Sequence, residues 1–225
     1  MMTISHTTAL LVSLFFYHGA IASIIVGIAF FKKNDRTLKF FGLALLFNGV
    51  AFMTWAILVA NHLNNLRIIA GIAALFLLLA MYSFMVSALQ KVKDVSLYLT
   101  VLVIGSLATL GLFVMRSFVY PTHIAITNNG FLLFDMRSQM QIAYILVLCA
   151  TVLPAANAVA GKFHKSSLGA LIRACFTALT IGAVILIVSS DADLILADGI
   201  FMSAAFIMLW VAVLAGARKA LDKVS

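Results

Sequence analysis

Residues 116–139 read RSFVYPTHIAITNNGFLLFDMRSQ, and this stretch decides how the rest of the chain is read. It is the one long polar interruption among segments that are otherwise apolar. At its centre, Asn129-Gly130 separates His123-Ile-Ala-Ile-Thr127 from Phe131-Leu-Leu-Phe134. A tight primed turn needs positive φ, which Asn and Gly tolerate, so the segment predicts a β-hairpin. Four apolar runs precede it and three follow, each near the 20 or so residues that a helix needs to cross a bilayer. The predicted fold is all-α and integral to the membrane. It is a seven-transmembrane helix bundle with the N-terminus outside, the C-terminus inside, and a short hairpin over the outer mouth between helices 4 and 5.

Composition supports this. Of 225 residues, 64% are hydrophobic and 10% charged, with a mean hydropathy of +1.17. A soluble domain carries roughly 25% charged residues, so this chain lacks the means to cover itself with charge. Seven spans and their turns use nearly the whole length as a single domain, 1–225, leaving no room for a soluble catalytic or nucleic-acid-binding unit. Cys149 and Cys175 both fall inside predicted spans, which argues against a disulfide framework. The opening MMTISHTT lacks the basic start of a cleaved signal, so the first helix is expected to stay as a span.

Working outward, the helices are expected at about 8–31, 40–60, 67–89, 96–118, 139–160, 167–188 and 194–216, with the outer loop at about 119–138. In helix 1, Gly19, Ser23 and Gly27 recur every four residues and offer a face stripped of bulk for a close neighbour. Pro154 is expected to kink helix 5, with neighbouring groups satisfying the freed carbonyl. Twelve of the fifteen Lys and Arg residues fall on the segments read as inner, together with three Asp. The outer segments hold Arg67, Arg116 and Arg137 with four Asp. The positive-inside rule therefore accounts for the net charge of +8 without invoking nucleic acid. The expected partners are the lipid bilayer, anionic lipid at the cytoplasmic face, and a membrane protein partner or a homo-oligomer.

The polar groups nearest the outer boundary form the candidate site. Arg67, Arg116, His123, Asp135 and Asp198 are the expected ligand-binding residues of an outward-facing polar pocket under the hairpin. Its arginines suit an anionic or zwitterionic ligand. The alternative is structural: Asp198 pairs with Arg67 or Arg116 to lock the bundle, or the arginines reach lipid headgroups. His18, near the middle of helix 1, has no second histidine at its depth for haem, and a hydrogen bond to Asn48, Tyr82 or a serine is expected. No mid-helix lysine in helix 7 suits a retinal Schiff base, and phosphate-loop and zinc-protease patterns are missing. No cofactor, metal or enzymatic activity is expected.

The basic turn Lys32-Lys-Asn-Asp-Arg36, followed by Phe40-Phe41 and then Trp55, resembles the seven-helix sensor regions of bacterial histidine kinases and diguanylate cyclases. The resemblance covers mainly helices 1 to 3. It implies a sensory module of a bacterial inner membrane. Such regions feed a cytoplasmic output domain, whereas nine residues follow Gly216 here, so a signal is expected to pass to a separate protein. The expected function is thus a stand-alone receptor or sensor-like module. The alternatives are a non-catalytic subunit of a membrane complex and a small-solute transporter. No motif recurs at matching positions of helices 1–3 and 5–7, which weighs against the last.

Overall fold

The computed structural model describes the backbone of residues 6–61, 66–116, 123–126, 132–135, 138–163, 167–188 and 192–215. Side chains are described for 13–57, 68–116, 138–163, 167–188 and 197–210. Among the described residues seven helices form: α1 (His6–Phe31), α2 (Arg36–Asn61), α3 (Leu66–Leu89), α4 (Val95–Val114), α5 (Ser138–Ala160), α6 (Ser167–Val188) and α7 (Ala192–Ala215). A 3-10 turn, Gly161–Phe163, follows α5. Between α4 and α5, β1 (His123–Ile126) and β2 (Leu132–Asp135) pair antiparallel, His123 opposite Asp135 and Ile126 opposite Leu132. The Asn129-Gly130 turn lies outside the described residues.

The seventh helix is present at 192–215, close to the expected 194–216. Among the described residues six helices are long and apolar enough to cross a membrane, and the described part of α7 adds the apolar stretch Ala197–Trp210. The expected architecture needs one correction: the packed body is helical alone. Among the described residues, β1 and β2 contact one another and neither has more than marginal contact with any helix. The expected hairpin cap seated on the bundle is therefore overturned. Two four-residue strands form a marginal sheet, and among the described residues each pairs only with the other.

The helices form a closed ring in the order α1, α2, α3, α5, α6, α7 and back to α1. α4 stands outside, against α3 and, more lightly, α5. It buries 6% of its membrane window, against 33–50% for the other five spans. Val95, Leu97, Leu99, Val103, Ile104, Leu107 and Leu110 are all exposed on it. Lipid tails are as apolar as these side chains, so nothing in the sequence drives the helix inward.

Close packing, not hydrophobicity, must therefore hold the ring. Glycine supplies it between α1 and α2. A Cβ on Gly27 would lie 2.9 Å from the Gly42 carbonyl oxygen, and one on Gly49 would lie 3.0 Å from that of Ala20. Between these contacts Asn48 donates to the Ser23 hydroxyl at 3.3 Å. Below them, fully buried Phe41 meets Phe30, Phe84 and Phe176 edge-on at 5.6, 5.2 and 4.9 Å, joining α1, α2, α3 and α6. Each such pair adds about 0.5–1.5 kcal/mol beyond its packing.

The cation-rich end is fastened by capping aspartates. Asp94 accepts from the backbone amides of Ser96 and Leu97 and starts α4. Asp35 accepts from the Leu38 amide at the start of α2 and receives Lys162 Nζ at 2.6 Å. Partial burial opposes the Asp35 charge. The Lys162 ammonium and the Leu38 and Thr37 amides together outweigh it and hold the carboxyl below the usual carboxylate range. A carboxyl whose folded pKa is depressed adds stability above its unfolded pKa and loses it as pH falls through the folded one. Asp35→Asn is expected to cost about 1 kcal/mol or less at neutral pH, because the pair is partly solvated. The gap in melting temperature should close below about pH 4. A gap that stays constant into acid would show that the charge is not its source.

Candidate functional site at the hairpin end

Three elements meet at the end of the ring where the hairpin emerges. Gln141, in the first turn of α5, donates to the Ile187 carbonyl at the end of α6 at 3.0 Å. Arg116, in the wide turn that closes α4, is 8% exposed and donates from one guanidinium nitrogen to the Tyr144 hydroxyl at 3.2 Å. Its guanidinium carbon lies 5.4 Å from the Tyr144 ring centroid, a cation–π distance. Tyr144 is itself 1% exposed, so α4 is anchored to the ring by a buried cation resting on a buried aromatic.

Asp198 lies in the second turn of α7 at this same end and is 3% exposed. Neither carboxylate oxygen has a hydrogen-bond partner among the described residues. Gly182 of α6 leaves room for it, since a Cβ there would fall 2.7 Å from Asp198 Oδ1 and 2.5 Å from Met202 Cγ. On the neighbouring face of α7, Gly199 admits the ring of Phe15 from α1. The carboxyl is thus enclosed where α6 and α7 pack, with apolar neighbours. Burying such a group without a hydrogen bond costs about 1–3 kcal/mol or more. An intramembrane acid without a partner among the described residues makes this position the candidate site.

The structure brings these groups to one end and does not join them. The expected Asp198–Arg116 pair is absent: Arg116 is turned to Tyr144 on α5, and Asp198 faces α6. The Arg67 side chain lies outside the described residues, as do those of His123 and Asp135, although the backbones of the last two are register partners across the strands. His18 also departs from expectation. Its Nδ1 is buried without a partner among the described residues, and Asn48 donates to Ser23 instead. Tyr144, Gln141 and Gly182 were not singled out by the sequence. Tyr144 had one signal: it is the only tyrosine in α5, at the depth of Arg116. Among the described residues, no three His, Cys, Asp or Glu side chains gather as a metal site.

Six long apolar helices define an integral membrane protein. No family model, curated protein or solved structure matches the chain.

Proposed function

We propose that the protein is a stand-alone receptor or sensor-like module of a bacterial inner membrane, with its ligand site at the hairpin end around Asp198. The buried, unpartnered carboxyl carries this reading. A ligand able to donate hydrogen bonds would satisfy two oxygens that the protein leaves empty-handed, and would do so where α6 meets α7. Such binding favours whichever packing of these helices best admits it, and that preference is the signal. The cation-poor hairpin end is the one the positive-inside rule assigns to the outer face. The output would pass to a separate membrane partner.

The test is ligand-dependent thermal stability in lipid nanodiscs, screened over small amines, amino acids and sugars. Wild type should be stabilised by one class. Asp198→Asn, which keeps shape and removes charge, should melt normally and lose the response by tenfold or more in ligand affinity. A folded Asp198→Asn with every response intact would sink the proposal. A subunit role is the second reading, favoured by the exposure of α4 on nearly every side. The native mass in gently solubilised membranes separates the two, since a defined large assembly supports only the subunit.

A further inference from the structure

Arg173 is the one charged residue of α6, seventh in a helix that is mostly apolar. At 1.5 Å per residue it stands about 9 Å inside the start of the helix. It is exposed and has no hydrogen bond or ion pair among the described residues, although two aspartates of the cation-rich end, Asp35 and Asp94, are engaged elsewhere. An isolated guanidinium facing hydrocarbon is costly, and its chain is long enough to reach the headgroup layer from this depth.

The surface around it is unlike the rest of the lipid-facing shell. Elsewhere that shell is built of exposed Leu, Ile, Val and Phe, but among the described residues no bulky apolar side chain is exposed between Leu146 and Ile181. The outward sides of the adjacent α5 and α6 instead present Pro154, Asn157, Ala170, Ala174 and Thr177. Asn157 is three residues from the end of α5, so its amide stands at the same end of the bundle as Arg173. A low strip of small residues carrying one amide, one hydroxyl and an unmatched planar cation fits a phosphate, which the guanidinium fork grips through two hydrogen bonds.

We propose that this face of α5 and α6 binds the phosphate of an anionic phospholipid, with Arg173 as its principal donor and Asn157 as its second. The source of the phosphate is the bilayer. Charge complementarity favours it, since the whole end is cationic and anionic lipid concentrates there. The site is independent of Asp198, which faces the other end of the ring.

The experiment is native mass spectrometry of the full chain released from nanodiscs of phosphatidylcholine with about one fifth phosphatidylglycerol. Wild type should retain phosphatidylglycerol in preference, and Arg173→Gln should reduce that retention about tenfold, as expected for losing one charge-assisted contact. Asn157→Leu should reduce it less, and Arg173→Lys should restore part of it. Lys93→Gln, which removes an exposed cation from the same end, should leave retention unchanged. Equal retention by Arg173→Gln and wild type overturns the proposal. So does an equal loss in Lys93→Gln, which would reduce the effect to bulk attraction. Loss of a co-purifying membrane protein in Arg173→Gln, with lipid retention intact, would assign the face to an acidic partner helix instead.

Discussion

Alanine at Gly42 is expected to destabilise the protein by about 3 kcal/mol, the upper range for forcing extra volume into a packed core. The added Cβ would sit 2.5 Å from the Phe31 amide nitrogen, 2.6 Å from the Gly27 carbonyl oxygen and 2.9 Å from Phe31 Cα. All three are backbone atoms, so no side-chain rotation relieves the contact. α1 and α2 must separate, which also lengthens the bond from Asn48 to Ser23 and loosens Phe41 against Phe30. Gly111 and Gly71 are the controls, because a Cβ at either meets nothing within 4 Å. Alanine there should be neutral or add about 0.5–1 kcal/mol by improving helix propensity. Thermal unfolding in nanodiscs reads all three variants. Equal melting of Gly42→Ala and Gly111→Ala would remove the glycine seam as the basis of α1–α2 packing.

Asp198→Leu is expected to stabilise the ligand-free protein by about 2 kcal/mol. Leucine has the branching of aspartate and replaces two unpartnered oxygens with methyl groups, and apolar replacement of unsatisfied polar groups is neutral or favourable. The same variant should abolish the ligand response. A gain in stability bought with a loss of function would identify the carboxyl as a functional group held against the interest of the fold. A loss of more than about 1 kcal/mol would mean that the oxygens have a partner in the bilayer-embedded protein, and would count against an empty binding position.

The helices were largely legible because membrane thickness makes them so. α3 and α5 begin one residue from expectation, and α6 matches at both ends, since charged or polar turns bound each apolar run. α2 begins four residues early because Asp35 caps it inside the basic turn, a local hydrogen bond that hydropathy alone misses. The small-residue face of α1 also read correctly: Gly27 meets Gly42, Ser23 meets Asn48, and Gly19 lies against Phe52 and Phe206. The order of the ring was not legible. Each span is apolar on all sides, so no stripe shows which faces are inward, and α4 gave no sign that it stands outside. The site was legible only in part. Depth along the chain placed Arg116 and Asp198 at one end, but which way each side chain turns depends on neighbours far away in sequence. That is why Arg116 rests on Tyr144 and Asp198 remains alone.

The ring has a consequence for how the chain is made. α1 and α2 are adjacent in sequence, and their glycine seam becomes available as soon as the second helix leaves the ribosome and enters the bilayer. The contact of α1 with α7 waits for nearly the whole chain. Until then the α7-facing side of α1, including Phe15 and Gly19, must lie against lipid or another protein of the insertion machinery. The enclosure of Asp198 is thus among the last events of biosynthesis, and truncated chains should insert, zip their first helices and still lack a closed bundle.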